Sequence, residues 1–438
     1  MFGVLLATGY AALFLLAIAK ARFFDATGLP RRAIGALFLL KVAAGTALWY
    51  IYTYVYTDRA TADIYRYFDD GNIMFSAFAQ APSDYLRMLT GIGNDQVHFD
   101  VRYYQVMHNW YRQFESNMYN DAHTMIRFNA FVRLFSFGHF HVHTVFACFA
   151  CTVGLVALHR TFSARLPGHE VLLAAALFLL PSVLFWSSGV IKESLLLFGL
   201  GLFLLNLLGP VRHRSWPMRS VVLLFCITLL FFLKFYVLLS MVPALAAYGW
   251  SQGERGWRVW LKFAVVYAAF IVAGLNSEHI IPRFSIIEAI WVKQRDLIGL
   301  AHQVKAGSLV DVTPLEPNAR SFLMQLPHAL YLAFFSPFGA WRNGPMGLMS
   351  ALENALILAM PVFALVWRRR AVDLPLLLFA LCFCLLLAAV IGWTTPVIGA
   401  LVRYRVPMLP FFAIACLVVA DPTRVPLPTW VRNRSQHS

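Results

Sequence analysis

The feature that most limits what this chain can become is a succession of about eleven apolar stretches, each close to the roughly 20 residues a helix needs to cross a bilayer. They fall at 2–19, 34–55, 143–159, 171–188, 191–208, 220–234, 236–250, 262–276, 348–367, 374–392 and 405–420. Lys234 and Tyr236 interrupt the apolar run from 220 to 250 near its middle, so it reads as two short spans, with Pro243 a tolerated kink in the second. A chain of 438 residues would ordinarily make two or three soluble domains. Here only 13% of residues are charged, against about 25% in soluble proteins. We therefore expect an all-α fold: a single polytopic transmembrane domain over 1–438, with about eleven spans and additional amphipathic helices at the interface.

The net charge of +15 would suit nucleic-acid binding if it formed a stripe. Instead the basic residues sit in short connections between apolar runs, which is the orientation signal of membrane proteins. Lys20, Arg22, Arg31 and Arg32 form one such group, Arg160 and Arg165 the next, then Arg212, Arg214 and Arg219, then Arg255, Arg258 and Lys262. Arg368, Arg369 and Arg370 follow, and then Arg424, Arg432 and Arg434 in the tail 421–438. These groups alternate without a break if the N-terminus is outside and the C-terminus cytoplasmic, so no nucleic-acid partner is expected. No basic residue precedes the stretch 2–19 and Lys20 and Arg22 follow it, the reverse of a cleavable leader.

Two long segments then face outward. The first, 56–142, is acidic and aromatic, with apolar residues every three or four positions in "DVRYYQVMHNWYRQFESNMYNDAHTMIRFNAFVRLFSF", the pattern of helices lying on an interface. The second, 277–347, ends in "LPHALYLAFFSPFGAW", broken by Pro337 and Gly339, which suggests a re-entrant or interfacial helix.

Ionisable residues beside or inside spans are costly to place and are functional hypotheses by default. Asp63, Asp69 and Asp70 follow the second span beside Tyr65 and Tyr67, with Asp63 and Asp70 spaced to share a helix face. A carboxylate there can act as a general base, or cap a helix. Asp69 and Asp70 can also hold a divalent cation, Mg or Mn, although no motif requires one. Lys192 and Glu193 close the turn "WSSGVIKES", and Lys192 can contact a phosphate or simply reach water. Arg403-Tyr404-Arg405 opens the last span with two outward arginines suited to phosphate, or to snorkelling. Lys234, Arg342, and Glu353 with Asn354 are further cavity candidates, while Lys41 can snorkel from the second span.

Other chemistries have little footing. The six cysteines lie in apolar runs, and Cys148-x-x-Cys151 falls inside a span, so neither zinc nor a disulfide framework is indicated. His139, His141 and His143 alternate as on a strand and read as an interfacial cluster. There is no GxSxG, P-loop or dinucleotide fingerprint. A donor for an enzyme here would have to arrive within the membrane.

This layout resembles the GT-C superfamily of membrane glycosyltransferases. The resemblance rests on the acidic residues Asp63, Asp69 and Asp70 in the first long outer segment, on "RYRVPMLPFF" from Arg403 to Phe411, and on "PSVLFWSSGVIKES". It implies transfer of a sugar from a polyprenyl-phosphate-linked saccharide to a glycan or lipid acceptor at the outer face of a bacterial inner membrane. It further implies Asp63 or Asp70 as the base, and Lys192, Arg403, Arg405 and Lys234 as holders of the lipid phosphate, with Tyr67, Glu193, Tyr404 and Arg342 in the cavity. The acidic group here follows the second span rather than the first, a departure from the family's usual order. Alternatives are a polymerase joining lipid-linked repeats, a transporter or flippase for a lipid-linked or anionic solute, and a scaffold. Acceptor identity and oligomeric state are not written in these residues.

Overall fold

The computed structural model describes residues 1–111, 119–209, 215–282, 284–337 and 344–424, and the side chains within those ranges except at 344–346. Among the described residues it is helical throughout, with isolated bridges and no strand. Two long helices open the chain, α1 (Phe2–Lys20) and α2 (Arg31–Tyr50), the second continuing through one wide turn to Val55. Short amphipathic helices follow: α3 (Asp63–Gln80), α4 (Pro82–Thr90), α5 (Val97–Arg102) and α6 (Ala122–Ser136). Then come α7 (Phe140–Ser163), α8 (Glu170–Phe178), α9 (Pro181–Trp186), α10 (Lys192–Leu208), α11 (Trp216–Trp250) and α12 (Trp257–Leu275). The remainder is α13 (Ser277–Ile280), α14 (Ile286–Gln303), α15 (Ala319–Phe335), α16 (Gly344–Val366), α17 (Leu374–Thr394), α18 (Ile398–Tyr404) and α19 (Leu409–Val419).

Among the described residues, seven helices are long and apolar enough to cross a membrane, eight if α18 and α19, bent by 55°, count as one span. This is the build of a multi-pass membrane protein, with fewer full-length spans than the eleven expected. The difference has local causes. Pro181 starts a new helix, so 171–188 becomes α8 and α9, of 9 and 6 residues. The charged pair Lys192-Glu193 begins α10, which is 17 residues long.

The count also takes α11 once, although its 35 residues would be far too long for one crossing. Its backbone leaves helical geometry at Lys234 (φ −153°, ψ 81°), not at Pro243. Both arms return to one end of the bundle. Near the start, Arg219 donates to the Asn206 carbonyl at 2.6 Å. Near the finish, the Tyr248 hydroxyl accepts from Arg165 at 3.2 Å, and Arg165 also donates to the Leu208 carbonyl at 2.6 Å. Each arm, at about 1.5 Å per residue, is roughly 25 Å long. The element is a hairpin with Lys234 at its apex, as the interruption in the sequence implies.

That same end collects the basic connections. Arg160 donates to the Phe23 carbonyl, Arg31 pairs with Asp25, Lys262 bonds the Trp250 carbonyl and Glu254, and Arg369 bonds the Ala420 carbonyl. Gly168 packs beside Pro422, joining the 165–170 turn to the end of α19. Arg212, Arg214, Arg432 and Arg434 lie outside the described residues. At the opposite end, α3 to α6 gather around Met74, Tyr85, Met88, Phe99, Trp110 and Met125, a cluster that Val190, Leu195 and Leu233 of the bundle join. The described helices of segment 56–142 therefore pack on one another and on the bundle.

Close backbone contact holds the bundle, as expected where lipid removes the hydrophobic drive between helices. A Cβ on Gly201 would lie 1.9 Å from the Gly154 carbonyl oxygen, so α7 and α10 touch along their backbones there. Gly201→Val is expected to cost about 3 kcal/mol or more by forcing the helices apart. Gly249→Ala, at a glycine with open space around it, should change little. Thermal unfolding of the purified protein compares the two.

Candidate functional site

Four helix boundaries meet at the end opposite the basic connections, and each contributes charge. Asp63 stands in the first turn of α3, where a carboxylate is favoured by the helix dipole. Lys192 and Glu193 open α10, Lys234 is the apex of α11, and Arg403 lies in the last turn of α18. Arg403 links the set, placing Nη1 2.7 Å from Asp63 and Nε 3.1 Å from Glu193. Glu193 also receives Lys234 at 2.8 Å, and Lys192 pairs with Asp121 at 2.9 Å. Three cations thus face three carboxylates, the compensation buried charges need. Aromatic rings underlie the cations: Tyr404 is 4.1 Å from Lys234 and 5.7 Å from Arg403, and Tyr67 is 5.5 Å from Lys192.

Exposure grades through the cluster. Side chains of Asp63 and Asp121 are 31% and 30% accessible, Arg403 and Lys192 12% and 10%, and Glu193 none. Asp63 and Asp121 form the mouth, and Glu193 with Lys234 the floor. On the floor, Glu193 Oε2 and the Tyr236 hydroxyl are buried without a hydrogen-bond partner. Burial pushes the Asp63 carboxyl up, but Arg403 and Lys192 outweigh it and hold the group below the ordinary carboxylate range. Burial pushes the Tyr67 hydroxyl well up, so it remains protonated.

Beside the cluster lies a cavity of about 580 Å³, reached at its wall by Ala62 and Val402, the neighbours of Asp63 and Arg403. Tyr52, Tyr56, Phe185 and Trp186 give it aromatic surface, and Asp58 is the one charged side chain among its described lining residues.

Not every residue singled out in the sequence joins this site. Asp70 is fully buried and accepts from the backbone amides of His108 and Asn109, both at 2.8 Å. Burial raises its carboxyl above the usual range, against the pull of those amides. Its engagements organise the 104–110 loop. Asp69 faces the other way and pairs with Arg59 at 2.6 Å. The two carboxylates therefore diverge, and among the described residues no group of three His, Cys, Asp or Glu side chains is set to hold a metal ion.

Arg405 also turns aside. It is fully buried, pairing with Glu353 at 2.6 Å and bonding Asn354 at 2.8 Å and the Ser336 carbonyl at 3.2 Å. Glu353 in turn accepts from the Ser182 amide at 2.6 Å, fixing the start of α9 on the cavity wall. Lys41 does not snorkel: it is buried and donates to Ser187 at 2.7 Å. His143 lies in helix α7, not a strand, held between Asn129 and Ser136. Cys148 and Cys151 are buried free thiols. Arg342 lies outside the described residues. The sequence reading missed Asp121, which looks there like an ordinary helix cap, and Asp58, whose role depends on a cavity made by distant segments. No protein-family model, no curated protein and no solved structure matches this chain.

Proposed function

We propose that this chain is a membrane glycosyltransferase, moving a sugar from a polyprenyl-phosphate-linked donor to a glycan or lipid acceptor at the outer face of a bacterial inner membrane. The observation that carries this reading is the 2.7 Å contact of Asp63 with Arg403, within a cluster of three cations and beside a cavity sized for a single ligand. Its outward orientation rests on the basic connections, which gather at the other end of the bundle and mark the cytoplasmic side.

Asp63 takes the proton from the acceptor hydroxyl as that oxygen attacks the anomeric carbon. The bond from that carbon to the lipid phosphate oxygen breaks, and the phosphate leaves with the electron pair. Lys192 and Arg403, near the mouth, receive the growing phosphate charge, with Lys234 behind them. Such preorganised charge supplies most of the rate in acyl- and phosphoryl-type transfers, and the same logic applies here. Because each cation already faces a carboxylate, the donor phosphate has to displace Asp63 from Arg403. That exchange frees the carboxylate when the donor is in place.

A second reading, a flippase for a lipid-linked solute, is favoured by the broken helix at Lys234, since transporters set discontinuous helices around buried charge. Inactivating the gene distinguishes the two. Loss of a transferase leaves the lipid-linked donor on the outer leaflet, open to a hydrolase added outside intact spheroplasts. Loss of a flippase leaves it protected on the inner leaflet, and that outcome would overturn the transferase reading.

A further inference from the structure

We propose that the cavity beside the charge cluster binds an amphiphile with an uncharged, hydroxyl-bearing head group, and that it selects against anionic ones. The inference rests on the transferase reading for its purpose, where it defines the acceptor as a neutral glycolipid-like molecule. Its physical basis is independent of that reading.

The lining carries both chemistries. Thr57, Asp58, Thr61, Ser182, Ser308 and Ser350 supply polar groups. Phe185, Trp186, Met349, Ile398 and Val402 supply apolar surface among them. A ligand that satisfies both has a polar head and an apolar tail. Asp58 decides the charge of the head. It is exposed, accepts from the Ala60 amide at 3.1 Å and the Thr61 hydroxyl at 3.0 Å, and forms the sole charged group among the described lining residues. No Lys or Arg stands among those residues to neutralise a phosphate. A carboxylate accepts hydrogen bonds from sugar hydroxyls and repels an anion. Tyr52, Tyr56 and Trp186 offer ring faces to the apolar face of a sugar. The cations that could hold a phosphate, Lys192 and Arg403, belong to the neighbouring cluster. The two halves of the site therefore separate a phosphate-bearing ligand from a neutral one, with Asp63 between them.

The test uses the purified full-length chain in amphipol, with a dodecyl maltoside carrying a diazirine in its alkyl chain as the probe. Photolysis is expected to label Pro181–Trp186 and the 398–402 segment. Excess plain dodecyl maltoside should remove that label, and dodecyl phosphate at the same concentration should leave at least nine-tenths of it. Gly399→Leu fills the cavity from a glycine with nothing within 4 Å of an added Cβ, so it should fold normally and lose about tenfold of the label. Asp58→Asn should narrow the difference between the two competitors. Equal competition by dodecyl phosphate, or labelling unchanged by Gly399→Leu, would overturn the proposal. Asp63→Asn separates this inference from the transferase reading. Labelling retained with transfer lost supports both. Labelling absent in the wild type with transfer lost in the variant sinks the cavity assignment alone. Labelling retained with transfer unchanged in the variant supports the cavity assignment and removes the transferase role of Asp63.

Discussion

Asp63→Asn is expected to lower sugar transfer by about 10²- to 10⁴-fold, the range seen when a general base is removed, while leaving the protein folded. The substitution keeps the shape of the side chain and an oxygen for Arg403, but not the charge that accepts a proton. Folding should survive because Asp63 is nearly one-third accessible and Arg403 keeps Glu193 as a partner at 3.1 Å. Asp70→Asn is the matched control. It removes a carboxylate seven residues away whose partners are loop amides, so it should loosen the 104–110 loop and cost far less activity. The pH profile gives a further check. Asp63 has its carboxyl held below the ordinary value near 4. The ionised, paired form is therefore complete above that value and is lost as pH falls through the depressed pKa. The acid limb of kcat/KM, which reports the free enzyme before the donor displaces Asp63 from Arg403, should lie below about pH 4. A limb near pH 6 would assign the base to another group.

Glu193→Gln should have the largest effect on stability, about 3–5 kcal/mol, measured by thermal or denaturant unfolding in detergent. Glu193 is fully buried and serves Lys234 and Arg403 together, so its neutralisation strands Lys234 on the floor of the site and leaves Arg403 with Asp63 alone. The cost comes from the uncompensated charge, not from lost attraction alone. The double variant Glu193→Gln with Lys234→Met should therefore be more stable than Glu193→Gln by itself. A single variant as stable as the wild type would mean that the cluster is hydrated or open in the membrane, contrary to its burial here.

Much of this arrangement is visible in the sequence because charge inside apolar runs is expensive and so has few uses. Lys192, Glu193, Lys234 and Arg403 stand out for that reason, and they meet. The break at Lys234 is likewise legible, since a lysine in the middle of "LLFFLKFYVLL" cannot sit against lipid. Other features depend on tertiary geometry. Asp70 and Arg405 have the same composition signals as Asp63 and Arg403, yet helix orientation turns Asp70 toward a loop and Arg405 toward Glu353. A spacing of two residues, from Arg403 to Arg405, crosses the end of α18 and sends the two guanidinium groups to different networks. Span counting differs for a related reason. Hydropathy registers apolar length, whereas Pro181 divides one apolar stretch into two short helices and the pair Lys192-Glu193 starts another at 17 residues. The packing of α3 to α6 was also hidden, because its aromatic residues read as interfacial until they stack on one another, as Tyr104, Trp110 and His123 do at 4.0 and 3.8 Å.

The most direct measurement is sidedness. The native cysteines are buried or half-buried in apolar helices and give little background. A membrane-impermeant maleimide applied to intact cells should label Asp63→Cys, and should label Arg255→Cys, in the basic connection after α11, only once the membrane is opened. Labelling of both from one side, or of Arg255→Cys alone from outside, would contradict the placement of the charge cluster on the face where the donor waits.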